Sequence, residues 1–349
     1  MNGYGICAPD TFGFISGAPE PICEPMDAVA EAVVWATCTS DPHQVHAGLP
    51  QGLILGHEVV ARLIKVGSMV KDFKVGDVVC VGAVTPDWTL PNNQDNIHQD
   101  APGAALAMNW CVTENGTFAE RFRIRQVDQN AAYIPKNLSY EHALMASDMV
   151  TTGFHGVEMA HVTWGDTVVV MGVGPVGLMS VAGSALRGAG RIIAIGHRPK
   201  TLELAKFYGA TDVIDYVDGP VDEQVRAILS KDELVDCCIT TGGTNDTFAR
   251  CINLVKANGI VSNLQAQTFD SEIPGIYTLF WQSHKQINGG LCPGGRKRMQ
   301  RLLSLMSNGR LDPTPLITQR FHGMEHLVDS YLLMDNKTNE VVKPIVYND

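Results

Sequence analysis

Four residues in the first 150 are of the types that hold a transition metal. Cys38 stands in "ATCTSDPH", His57 and Glu58 in "LILGHEVVARLIKVG", and Asp148 in "MASDMVTTGFHG". Thiolate, imidazole and carboxylate are all competent zinc ligands, and a zinc left one open position acts as a Lewis acid. His57 and Glu58 interrupt an aliphatic run. A polar pair buried there is costly unless a neighbouring side chain or a metal ion meets it. Each residue also has a plain reading: Cys38 as a small core residue, His57 as a hydrogen-bonded core histidine, Asp148 as the cap of a following helix. Their spacing along the chain does not join them.

A second constellation lies in "VVVMGVGPVGLMS", where Gly172, Gly174 and Gly177, with Val176 among them, have G-x-G-x-x-G spacing. The run follows a buried strand and opens a helix, the context in which such glycines let a backbone approach a pyrophosphate at a helix N-terminus. The plain alternative is a tight strand–helix turn with no ligand. At the end of the next strand, "AIGHRPK", Gly196 stands where NAD-binding folds usually carry a carboxylate for the ribose hydroxyls. His197, Arg198 and Lys200 follow. A carboxylate would repel a ribose 2′-phosphate, whereas a guanidinium can neutralise one, so the expected cofactor is NADP.

The elements that must position these residues fall into two textures. Before about residue 150, short strand-like runs ("AVAEAVVWATC", "HEVVARLIKVG", "KVGDVVCVGAV", "GTFAERFRIR") alternate with turns, as in an irregular strand-rich domain. From 151 to 290 strands alternate with helices ("TVVVMG", "PVGLMSVAGSALRGAG", "RIIAIG", "KTLELAKFYGA", "TDVIDY", "ELVDCCIT", "NGIVSNLQ", "QINGGL"), the pattern of a doubly wound parallel α/β sheet. Residues 291–349 read as a helix, a loop and "EVVKPIVYN", returning to the first domain.

Composition excludes several classes. The chain has 349 residues and a net charge of −11, which argues against nucleic acid or an anionic membrane as partner. No apolar stretch is long enough to span a bilayer. The start, "MNGYGICAPDTFGFIS", lacks a signal-peptide pattern. Nine cysteines, an odd number, then read as thiols of a reducing compartment, with the cytoplasm as the default.

Taken together, "CTSD", "LGHEVV", "TPDW", "DMVTTGFHG", "GVGPVG", "LRGAGRI", "AKFYGATD" and "GGLCPGGR" resemble the zinc-dependent medium-chain alcohol dehydrogenases, specifically the NADP-dependent secondary alcohol dehydrogenases of bacteria and protists. The resemblance covers nearly the whole chain. It implies a GroES-like catalytic domain interrupted by a Rossmann domain, and a homotetramer. It makes Cys38, His57 and Asp148 the zinc ligands, with Glu58 a fourth that can approach or leave, and Asp41 the hydrogen-bond partner of His57. Ser40 would meet the substrate oxygen and His43 would end a proton path to solvent. Thr152 would lie near the nicotinamide, Lys343 at the pyrophosphate, and Tyr216 at the adenosine phosphate end. Ala83, Val84, Trp110, Leu291 and Cys292 match apolar lining of the substrate pocket, and Ala266 stands where relatives often have an aromatic. Many relatives hold a structural zinc with four cysteines near residues 90–115. That stretch offers Cys111 alone, so one zinc per subunit is expected. The expected reaction interconverts small secondary alcohols and ketones. Aldehydes or polyols as substrates, and a non-catalytic nucleotide-binding protein, are the alternatives.

Overall fold

Runs of β-branched and aromatic residues set off by glycine- and proline-containing turns become strands. The computed structural model describes residues 1–94, 114–265 and 283–349. An N-terminal antiparallel hairpin, β1 (Gly3–Ala8) and β2 (Thr11–Ile15), comes first. Next come β3 (Ala28–Ala36), helix α1 (Ser40–His46), β4 (Glu58–Val66), β5 (Val78–Val81), β6 (Phe122–Ile124) and β7 (Ala131–Tyr133). Helices α2 (Tyr140–Ser147) and α3 (Met149–Met159) follow, broken at Asp148.

The α/β stretch then runs β8 (Thr167–Met171), α4 (Pro175–Leu186), β9 (Arg191–Gly196), α5 (Pro199–Phe207), β10 (Asp212–Asp215), α6 (Val221–Ile228), β11 (Val235–Thr240), α7 (Asn245–Leu254), β12 (Val255–Asn263) and β13 (Gln286–Gly289). Helix α8 (Arg296–Ser307), β14 (Ile317–His322), α9 (Leu327–Asn336) and β15 (Lys343–Tyr347) close the chain.

Two compact units result: Met1–Thr151 with Cys292–Asp349, and Thr152–Leu291. In the first, a seven-stranded sheet has the order β14-β15-β3-β4-β5-β7, with β6 also on β3. β3 is central and almost wholly buried. Its Trp35 ring is enclosed and donates its Nε1–H to the Thr117 carbonyl at 2.6 Å. Trp35, Phe118, Phe122, Leu63 and Ile54 form the middle of the core.

In the second unit the sheet is parallel throughout, in the order β10-β9-β8-β11-β12-β13. Numbered from β8 as first strand, this is the doubly wound 3-2-1-4-5-6 arrangement. β8, Thr167–Met171, is buried at every residue, as expected of a strand covered on both faces. In such sheets ligands bind beyond the carboxyl ends of the strands where the order reverses, here at the ends of β8 and β11.

Candidate metal centre and nucleotide turn

Strand register brings the metal-competent residues of the first unit together. Ala36 on β3 lies opposite Glu58 on β4 and opposite Ile345 on β15. Cys38, just beyond the end of β3, therefore shares one end of the sheet with His57, Glu58 and Lys343. Asp148 reaches the same place from the break between α2 and α3, where its φ of −138° and ψ of −62° end the first helix. Two contacts fix that break. The Ala83 N–H donates to the Ser147 carbonyl at 2.9 Å, and the Arg298 guanidinium of α8 donates to the Thr151 hydroxyl and carbonyl at 2.5 and 2.8 Å.

One ligand atom from each of Cys38, His57, Glu58 and Asp148 lies within 4.8 Å of all the others. His57 Nε2 is 3.6 Å from Asp148 Oδ2, 3.8 Å from Glu58 Oε1 and 3.4 Å from the Ser40 hydroxyl. Cys38 Sγ is 3.9 Å from Asp148 Oδ2. The other ring nitrogen, Nδ1, is 3.6 Å from Asp41 Oδ1. Asp41 Oδ2 accepts the Cys38 backbone N–H at 2.7 Å, so one buried carboxylate orients two of the four residues.

Burial pushes the Asp41 carboxyl upward against the pull of His57. Burial likewise pushes Glu58 up to about 7, opposed chiefly by the Lys343 ammonium 2.5 Å away. Lys343 is itself wholly buried. Its ammonium is disfavoured by that burial but held protonated by Glu58, Cys38 and Asp148.

The donor set fits a zinc ion. Thiol, imidazole and two carboxylates converge, Asp41 adds a third carboxylate behind them, and Lys343 brings one ammonium to balance several acidic groups. Glu58 Oε2 is buried without a hydrogen-bond partner, a costly state that a cation at this place would relieve.

In the second unit β8 ends at Met171 and the chain turns through Gly172, with φ +91°, into α4. A Cβ on Gly177 would lie 1.9 Å from the Gly172 carbonyl oxygen, so the helix can approach the turn this closely only with glycine there. A Cβ on Gly174, the N-cap, would meet nothing within 4 Å, which leaves its outer side open for a ligand's phosphates. Val176 lies in the first turn of α4, partly buried. The Thr241 hydroxyl donates to the Gly172 carbonyl at 2.5 Å and ties the end of β11 to the turn. These features fit a dinucleotide pyrophosphate.

At the end of β9, a Cβ on Gly196 would lie 2.4 Å from Val173 Cγ2. Gly196 thus spares a side chain of the phosphate turn as well as omitting a carboxylate. His197 is exposed and Arg198 half-buried at the N-cap of α5. Exposed Tyr216 stands 5.4 Å from the His197 ring, centroid to centroid.

Residues 24–136 match the family model for the alcohol dehydrogenase GroES-like domain, and residues 175–308 that for the zinc-binding dehydrogenase. An NADP-dependent isopropanol dehydrogenase from Thermoanaerobacter brockii is 42% identical, with 99% of each chain covered. Another from Entamoeba histolytica is 43% identical, over 99% of this chain and 95% of the relative. The chain is a zinc-dependent medium-chain alcohol dehydrogenase. Among solved structures, the alcohol dehydrogenase TADH from Thermus sp. ATN1 superposes with a TM-score of 0.85 at 26% identity, covering 99% of each chain.

Within this alcohol dehydrogenase the other candidate residues are distributed as follows. Ser40 begins α1 beside His57, and His43 lies one turn on, exposed. Partial desolvation and the Lys337 charge hold the His43 imidazole below its ordinary value. Thr152 lies in the first turns of α3. Val84 and Cys292 are buried and Ala83 half-buried in the first unit, while Leu291 is the last residue of the second. Trp110, Cys111 and Ala266 lie outside the described residues.

Lys343, expected at the pyrophosphate, is buried in the first unit with its ammonium on Glu58, because β15 is an interior strand and Lys343 sits at its start. Composition and spacing gave no sign of this pair, nor of the supports from Arg298 and Thr241.

Proposed function

We propose that this chain interconverts small secondary alcohols and ketones with NADP as hydride carrier, using one zinc per subunit held by Cys38, His57 and Asp148. The observation that carries the reading is the converged group of Cys38, His57, Glu58 and Asp148 with an unsatisfied buried oxygen on Glu58. NADP rather than NAD is supported by the missing carboxylate at Gly196 beside Arg198, and by the names of the relatives at 42% and 43% identity. When bound, zinc supplies Lewis acidity to the substrate oxygen and the nicotinamide exchanges the hydride.

The protein's own residues then have separate tasks. Asp41 keeps His57 in the tautomer with Nδ1–H, leaving Nε2 for the metal. The Ser40 hydroxyl holds the proton at the substrate oxygen. Exposed His43 on the next turn passes that proton to solvent, and its lowered pKa keeps it in the accepting form at neutral pH. Glu58, held by Lys343, is a ligand in reserve. Thr152 bounds the nicotinamide, and selection of short aliphatic substrates by burial is assigned to the apolar side chains that the resemblance implies, Ala83, Val84, Trp110, Leu291 and Cys292.

A single zinc is supported by the lack of any cysteine cluster in the sequence at 90–115, where Cys111 stands alone. A homotetramer in the cytoplasm completes the proposal. Among the described residues no helix is long and apolar enough to cross a membrane.

A panel of primary and secondary alcohols, polyols and their carbonyls, assayed with NADP(H) and NAD(H), tests the reading. Highest kcat/KM on short secondary alcohols with NADP⁺ is expected. A preference for aldehydes or polyols would overturn the substrate assignment, and parity of NAD⁺ with NADP⁺ the cofactor assignment.

A further inference from the structure

The cofactor end of the second unit carries a pair that the family resemblance did not suggest. Asp215, the last residue of β10, lies opposite Gly196 in the parallel register of β9 and β10. His197 is therefore placed directly over the Asp215 carboxylate, and its Nδ1 lies 3.0 and 3.1 Å from the two carboxylate oxygens. The carboxylate is also anchored from below, Oδ1 accepting the Val217 backbone N–H at 3.1 Å. That N–H first, and His197 second, hold the Asp215 carboxyl below the usual range. Tyr216, on the turn after β10, faces the same imidazole, and half-buried Arg198 is its chain neighbour at the start of α5. Lys200, further along α5, is engaged with Glu203 at 3.0 Å.

An ionised carboxylate only accepts hydrogen bonds, so Nδ1 carries a proton in this pair. A neutral imidazole with its proton on Nδ1 presents a lone pair at Nε2, which a phosphate repels. Only the imidazolium donates from both nitrogens, one to Asp215 and one to an anion. We propose that Asp215 and His197 make recognition of the ribose 2′-phosphate proton-coupled: binding draws a proton from solvent onto His197 Nε2, and Asp215 is the positioning residue that holds the resulting imidazolium. The inference rests on the NADP reading above and adds a pH dependence to it.

The sign follows from linkage. A histidine that gains an anionic partner binds its proton more tightly in the complex. The extra affinity is full at low pH and is lost as pH rises through the complexed value, by up to about tenfold per pH unit. A phosphomonoester loses its second proton near pH 6, so above pH 7 the ligand is already dianionic and the dependence belongs to the protein.

The experiment uses the full-length, zinc-loaded enzyme with 2′,5′-ADP and 5′-AMP as probes. Isothermal titration calorimetry at pH 7.5, in buffers of differing ionisation enthalpy, counts the protons taken up. 2′,5′-ADP should take up a measurable fraction of a proton and 5′-AMP close to none. His197→Asn should abolish the uptake and weaken 2′,5′-ADP alone. Asp215→Asn should move the uptake to lower pH, a change that a merely structural role would not produce. Tighter binding of 2′,5′-ADP than 5′-AMP with equal proton counts, or uptake surviving in His197→Asn, would overturn the proposal and leave the NADP reading intact. No preference for 2′,5′-ADP at all would overturn both.

Discussion

Replacing Lys343 with Met removes one charge and keeps an unbranched stem in its buried channel. The ammonium lies 2.5 Å from Glu58 Oε1, both side chains are wholly enclosed, and Glu58 Oε2 already lacks a partner. The substitution therefore strands a carboxylate in the core. Breaking a buried pair from one side costs about 3–5 kcal/mol. For a folding unit of this size each kcal/mol shifts the melting temperature by about 2–4 °C, so a fall of roughly 6–20 °C is expected. The double variant Glu58→Gln with Lys343→Met leaves neither charge and should melt well above the sum of the two single losses. A zinc in the site would give Glu58 a second cation, so chelation should deepen the loss in Lys343→Met. Calorimetry of the four proteins, with and without zinc, measures all of this. A Lys343→Met protein within about 1 kcal/mol of wild type, a shift of under roughly 4 °C, would refute the reasoning.

Other expectations concern the two sites and the acid limb of stability. Cys38→Ser, His57→Ala and Asp148→Ala should each lower bound zinc and activity together while far-UV dichroism is kept. Elemental analysis of wild type should give close to one zinc per chain, and a value near two would exclude the single-site proposal. Arg198→Ala should raise the KM for NADP⁺ by roughly ten- to a hundredfold, the worth of a charge-assisted hydrogen bond, with little effect on NAD⁺. Gly196→Ala should weaken both cofactors alike, since its Cβ displaces Val173 between Gly172 and Gly174; a loss confined to NADP⁺ would contradict that. Arg191 bonds Asp212 in the second unit and holds its carboxyl below the usual range. A carboxylate with a depressed folded pKa stabilises fully above its ordinary value of about 4 and loses that contribution as pH falls through the folded value. Arg191→Gln should therefore flatten the fall of the urea midpoint below about pH 4, and acid curves that stay parallel to wild type would count against the pair.

The α/β half was legible almost strand by strand. Its central strands are apolar runs such as "TVVVM" and "RIIAIG", and its turns are marked by glycine at Gly172 and Gly209. The mixed half was less so. The hairpin β1–β2 hid in a segment read only for its lack of a signal pattern, because Gly3, Gly5 and Gly13 weaken strand propensity. Those glycines are needed there: a Cβ on Gly5 would lie 2.1 Å from the Leu53 carbonyl oxygen. β14 was missed because "ITQRFH" carries its polar residues towards partly exposed positions. Cys38, His57, Glu58 and Asp148 were found through residue type joined by resemblance, but their meeting depends on strand register, which spacing does not encode. The Lys343–Glu58 pair was hidden for the same reason: a lone lysine in a β-run gives no hint that its strand is interior. The Asp215–His197 pair likewise follows from the parallel pairing of β9 with β10.

The position of β15 between β14 and β3 also orders events during synthesis. Residues 152–291 form a continuous unit that is complete on the ribosome before residue 343 has been made. The three candidate zinc ligands have emerged by then too, while the edge of β3 that will receive β15 is still open. Glu58 must wait for a counter-charge 285 residues downstream. During that interval the pair that later buries Glu58 is incomplete, and β3 keeps an unpaired edge until β15 docks on it.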